Sequence, residues 1–144
     1  SKNAMTVEAK AFAEKRGRHS FPRFGVGVHG VSGYRVRVVP AAKKLELVHF
    51  EEVIHSEPFV WKSGEWCHLK LSLTNSSGKP RVKAWVWTAG VNAKQPDAPT
   101  LTYEGEAGSS SQGKASIWGT PYSGKDMLFD DLKVTWEPSK PKAE

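Results

Sequence analysis

A single cysteine, Cys67, among 144 residues leaves nothing for an internal disulfide and excludes any zinc site built on several thiolates. Its neighbours in phase are Leu69, Leu71 and Leu73, so the thiol reads as a small buried apolar group. No apolar run is long enough to cross a membrane as a helix, and no basic start, apolar stretch and small-residue cleavage site follow one another. Convincing helical periodicity is almost absent too. The formal charge is +6, but the cations are scattered through "EKRGR", Lys43 and Lys44, Arg81, Lys83 and a lysine-containing tail. Scatter of this kind describes a solvated surface. No helix-turn-helix, zinc-finger or ribonucleoprotein pattern accompanies it, so neither a nucleic acid nor a membrane is expected as a partner.

Two glycine-rich stretches come close to nucleotide-binding motifs and fail on context. "GTPYSGKD", Gly119 to Asp126, fits a phosphate-binding loop until Asp126 stands where a hydroxyl should hold magnesium. "MLFDDLKVTW" then follows with the period of a strand, whereas a phosphate loop opens a helix. In "GVGVHG", Gly25, Gly27 and Gly30 have the spacing of a dinucleotide fingerprint, but the strand pattern "YRVRVV" comes next. These glycines read as places where a strand bends or lets a neighbour approach closely.

What the sequence has in abundance is alternation. Val7, Ala9 and Ala11 begin it, and "YRVRVVP", "KLELVHF", "CHLKLSL", "RVKAWVWT", "PTLTYEG", "KASIWG" and "LFDDLKVTW" continue it between Gly-, Ser-, Asn- and Pro-rich turns. Many short alternating segments joined by turn residues predict an all-β antiparallel sandwich or barrel. The long connections at 89–99 and 105–113 are candidate binding loops.

The series "FVWKSGEWCHLKLSL", "RVKAWVWTAG", "GKASIWG" and "LFDDLKV" resembles the concanavalin A-like lectin/glucanase jelly roll. It is most similar to the laminin G-like variety found in bacterial 3-keto-disaccharide hydrolase-type and β-propeller-associated proteins. The resemblance spans about residues 6–136, with 1–5 read as a tag remnant or disordered start and 137–144 as a polar tail. It implies an all-β antiparallel sandwich within a larger exported protein, periplasmic or extracellular. It hosts many functions, so the site must be argued separately.

A glucanase needs two carboxylates placed across the scissile bond, and the Glu-x-Asp-x-x-Glu pattern implied by that side of the resemblance is absent. Glu51 and Glu52 are adjacent and would point to opposite faces of a strand, so they read as an exposed turn. The five histidines have no zinc-protease spacing, and no Gly-x-Ser-x-Gly occurs. No catalytic residue and no metal ligand is assigned, and a sugar-derivative hydrolase ranks third among the readings.

Alternation places Asp130 in phase with Leu132, Val134 and Trp136, on the side taken as the core. A carboxylate there needs a partner. A hydrogen bond donated by a loop N–H or an arginine to Asp130 or Asp131 is preferred to the structural calcium that relatives of this fold carry near the closing strand. No cofactor is expected otherwise.

In "VKAWVW", Val82, Ala84 and Val86 supply the core side and leave Trp85 and Trp87 outward beside Arg81 and Lys83. Indole rings on a polar face suit the apolar face of a sugar. The sequence therefore predicts a non-catalytic carbohydrate-binding module, with Trp85, Trp87 and Lys83 on a concave face and Arg35 and Arg37 flanking them. Its rival is a structural or interaction module packed on a neighbouring domain such as a β-propeller.

Overall fold

The computed structural model describes residues 3–18, 20–28, 33–76, 79–89, 94–105, 115–120 and 126–137. Among these residues ten strands follow one another: β1 (Asn3–Phe12), β2 (Arg23–Val28), β3 (Tyr34–Val39), β4 (Lys44–His49), β5 (Glu52–Pro58), β6 (Trp66–Ser76), β7 (Lys79–Thr88), β8 (Leu101–Glu104), β9 (Ser116–Thr120) and β10 (Leu128–Glu137). A 3-10 turn, Pro40–Ala42, lies between β3 and β4. The described residues contain no α-helix.

The strands form two five-stranded sheets, in the orders β10-β1-β6-β7-β8 and β5-β4-β3-β2-β9. Every pairing is antiparallel. This is an all-β jelly-roll sandwich; alternation predicts a sandwich or barrel, and the resemblance implies the jelly roll. The inward residues of each strand make one core: Val7, Leu69, Leu71, Val82 and Ala84 from the first sheet meet Phe24, Val26, Val36, Val38, Leu45 and Leu47 from the second. Fully burying each of the larger side chains contributes about 1.5–3 kcal/mol. Cys67 joins this core at 1% exposure. The first strand begins at Asn3, ahead of the expected start at 6, because Met5 continues the inward phase of Val7 and is itself buried.

The closing strand departs from the expectation. Lys10 pairs with Asp130 and Glu8 with Lys133, so Ala9 faces two residues, Asp131 and Leu132. This is a β-bulge, with the extra residue Asp131 at φ 55° in the left-handed region. Phe129 is half-buried against the core, the bulge interrupts the alternation, and Asp130 and Asp131 are both exposed. Asp130 is therefore not a core carboxylate. Beyond the bulge Val134 pairs with the buried Val7, yet Leu132 is 55% and Val134 46% exposed because β10 is an edge strand.

Candidate functional site

The outer side of the first sheet is built from cross-strand rows. Lys10, His68 and Trp87 lie directly opposite one another on β1, β6 and β7, and Glu8, Lys70 and Trp85 form the next row. Val82, Ala84 and Val86 are buried and Trp85 and Trp87 are half-buried, so both indoles point outward. His68 stacks on Trp87 with ring centroids 4.9 Å apart and planes 4° apart. Lys70 holds its ammonium 5.4 Å from the Trp85 ring centre and donates to Gln95 Oε1 at 3.4 Å. Lys83 is exposed on the same side, opposite Ser72. Since β8 pairs only with Arg81–Ala84, no β8 residue stands opposite Trp85 or Trp87. The Trp85 Nε1–H is buried without an acceptor among the described residues.

Lys10 connects this face to β10, with its ammonium 3.1 Å from Asp131 Oδ2 and 4.8 Å from the Trp66 ring centre. Asp130 Oδ1 accepts the Asp131 N–H at 2.8 Å. Both carboxylates thus serve the bulge from the solvent side. Burial holds the His68 pKa below its ordinary value and the Lys10 charge pushes the same way, while Asp131 and Glu8 oppose them. Among the described residues no three His, Cys, Asp or Glu side chains group so as to hold a metal ion. Burial pushes the Cys67 thiol up to about 12, which leaves it protonated and unreactive at neutral pH.

Arg35 and Arg37 do not flank the tryptophans. They lie on β3, in the other sheet, and the outward phases of two packed sheets face opposite ways. The five residues expected to form one site therefore divide between two faces. Arg37 is committed to Glu46, Nε to Oε1 at 2.7 Å, in a largely covered pair. Arg35 reaches Glu51 through a terminal guanidinium nitrogen at 3.1 Å, and Glu51 is exposed.

Arg35 also places its guanidinium carbon 5.7 Å from the ring centre of Trp118 on β9, although β2 runs between the two strands. The outward residues of β2 here are Gly25 and Gly27, paired with Arg37 and Arg35 on one side and with Trp118 and Ser116 on the other. A Cβ on Gly27 would lie 2.8 Å from Ser116 Oγ and 3.0 Å from Arg35 Cβ. The glycines read in sequence as points of close approach are therefore what lets Arg35 meet Trp118 across an intervening strand. A cleft of about 270 Å³ results, lined by Arg35, Val48, Phe50, Glu51, Ser116 and Trp118 together with Gly33. Sequence reasoning missed Trp118 and Phe50. The signal for Trp118 was present in the outward glycines of "GVGV", which leave an opening that a neighbouring strand's side chain must fill.

Gly119 of the near-motif is a packing residue of β9, where a Cβ would lie 2.8 Å from Met127 Cε and 3.0 Å from Phe129 Cζ. Residues 121–125 of that stretch, Gly30 of the other, and residues 90–93 and 106–113 of the two long loops lie outside the described residues.

No protein-family model matches the sequence, and no curated protein matches it. Solved structures of similar shape are an alginate lyase, AlgAT5 from polysaccharide lyase family 7 (12% identity, TM-score 0.45), and the alginate lyase from Corynebacterium sp. (17%, 0.45). A third is a mutant of Trypanosoma rangeli sialidase displaying trans-sialidase activity (14%, 0.41). The chain is covered over 95%, 95% and 92% of its length and spans 60%, 60% and 20% of theirs. The two antiparallel sheets define the class, a jelly-roll sandwich, and the site must be argued from this chain's own residues.

Proposed function

We propose that the chain is a non-catalytic carbohydrate-binding module whose ligand lies across the outer side of the first sheet, on Trp85 and Trp87. The observation that carries this reading is the pair of half-buried indoles on the outward phase of β7, with no β8 residue opposite them. Successive outward residues on a strand are about 6.6–6.8 Å apart, so the two rings offer adjacent contacts along a chain of sugars. His68 stacks on Trp87, and the Lys70 ammonium lies over the Trp85 ring. Lys83 adds a cation at the edge, which favours acidic glycans over neutral ones. Among the described residues no catalytic pair of carboxylates is assigned to this face.

Glycan-array screening followed by titration of the bound glycan tests the reading. Trp87→Ala and Trp85→Ala are each expected to weaken binding by about tenfold or more, whereas Arg37→Ala leaves it unchanged. A glycan that binds equally well to both tryptophan variants would overturn the assignment. The exposed Leu132 and Val134 on the edge strand favour a second reading, in which this edge packs on a neighbouring domain. If no glycan binds and Leu132→Lys with Val134→Lys raises solubility without unfolding the chain, that reading replaces the first.

A further inference from the structure

From the cleft on the second sheet we infer a second, separate binding site, one that takes a carboxylate-bearing ring with its carboxylate on Arg35 in the place Glu51 now holds. The site lies on the opposite side of the sandwich from the tryptophans of β7 and does not depend on their role.

Three features meet there. The first is an apolar lining on a face that alternation should make polar. Val48 pairs with Arg35 and points outward with it, yet it is only 1% exposed, and Phe50 beside it is 59% exposed. The second is the turn that places Phe50. It joins β4 to β5 through Phe50 and Glu51 alone, at φ 52° and 65°, a left-handed conformation that such hairpins normally fill with Asn-Gly. Strain of this kind persists where the surrounding structure fixes it and clusters at ligand sites. Here it sets an aromatic ring on one lip of the cleft and a carboxylate against Arg35.

The third feature is the state of Arg35. Its planar fork offers several donors suited to bidentate recognition of a carboxylate, and its guanidinium carbon lies 5.7 Å from the Trp118 ring centre. Its partner Glu51 has a side chain 73% exposed, and an exposed pair of this sort is weak. A ligand carboxylate can therefore displace Glu51 by rotating one solvent-facing side chain. The neighbouring Arg37 cannot be recruited in this way, because Glu46 holds it in a pair only 23% and 16% exposed. The volume, about 270 Å³, is just below the usual range for ligand sites and suits no more than one ring. Ser116 supplies a hydroxyl at the rim, while Phe50 and Trp118 supply the surfaces against which the ring lies.

Two sources have this chemistry, an acidic sugar unit and an aromatic acid. NMR titration of the ¹⁵N-labelled chain with glucuronate, benzoate, glucose and acetate separates them. Saturable shifts on β3, the Phe50–Glu51 turn and β9 are expected with glucuronate or benzoate, and the one that binds names the source. Glucose and acetate should produce none. Arg35→Lys should weaken binding by about tenfold or more, Phe50→Ala should weaken it while the spectrum stays folded, and Glu51→Ala should tighten it by removing the internal competitor. The inference is overturned if neither ring acid binds to the parent chain or to Glu51→Ala, if Arg35→Lys binds as well as the parent, or if acetate binds as tightly as the ring acids. Shifts confined to β6 and β7 would also overturn it, while supporting the tryptophan face.

Discussion

His68 and Trp87 lie face to face across β6 and β7, directly paired in register and 4° from parallel. Partial burial lowers the His68 pKa from 6.5, with Lys10 acting in the same direction. The folded chain therefore binds fewer protons at this site than the unfolded chain between the lowered pKa and 6.5. Stability rises with pH through that window; the contribution is complete above 6.5 and is lost as the pH falls toward the lowered value. His68→Phe keeps a ring against Trp87 and removes the proton. The difference in melting temperature between about pH 7.5 and about pH 5 should shrink in this variant relative to the parent, and an unchanged difference would show that His68 is not the titrating group.

The bulge at Asp131 yields a second prediction. A left-handed conformation costs an ordinary residue about 1–2 kcal/mol, less for Asp, and costs Gly almost nothing. The ion pair that Asp131 makes with Lys10 has one partner 66% exposed and contributes about 0–1 kcal/mol. Asp131→Gly should therefore be neutral or mildly stabilising in urea denaturation, and Asp131→Val should destabilise by about 1–2 kcal/mol. If Gly and Val behaved alike, the left-handed assignment would be wrong.

Period-2 alternation was enough to read an all-β sandwich or barrel, since each inward run of Val, Leu and Ala had one side to bury. It was enough for β7 too, where Trp85 and Trp87 do point outward. It failed at Asp130, because one extra residue in a strand reverses the phase of what lies on either side of it, and nothing in "FDDLKV" marks that residue beyond an Asp that tolerates positive φ. Grouping Arg35 with Trp85 failed for a different reason: phase says whether a residue points inward or outward, but not to which sheet its strand belongs. The cleft stayed hidden because Arg35, Phe50 and Trp118 come together through strand order, which local pattern does not encode.

Strand order also explains why β2 carries glycine at both outward positions facing Arg35 and Arg37. A Cβ at Gly25 would fall inside the Val36 carbonyl oxygen, and one at Gly27 would press on Ser116 Oγ and Arg35 Cβ at 2.8 Å and 3.0 Å. Side-chain atoms can shift and backbone cannot. Gly27→Ala should cost about 1–2 kcal/mol, whereas Gly25→Ala should cost about 3 kcal/mol or more or prevent folding. Thermal denaturation of the two variants checks the order, and a greater loss at Gly27 would contradict the packing described for β2 and β3.

The turn at Phe50 and Glu51 sets stability against binding. Two consecutive non-glycine residues with positive φ cost about 2–4 kcal/mol together. Against this stand the edge-on contact of Phe50 with His49, ring centres 4.3 Å apart, and the exposed Arg35–Glu51 pair. Together these contribute about 1–2 kcal/mol. Replacing the two residues by Asn-Gly, as Phe50→Asn with Glu51→Gly, should therefore stabilise the chain by about 1–2 kcal/mol. Urea denaturation at neutral pH reads this directly as a higher midpoint with an unchanged slope. The same variant removes the aromatic lip of the cleft and frees Arg35, so the advantage of a ring acid over acetate should shrink. A variant less stable than the parent would mean that the Phe50 and Glu51 contacts outweigh the strain, and that the turn is held for the fold alone.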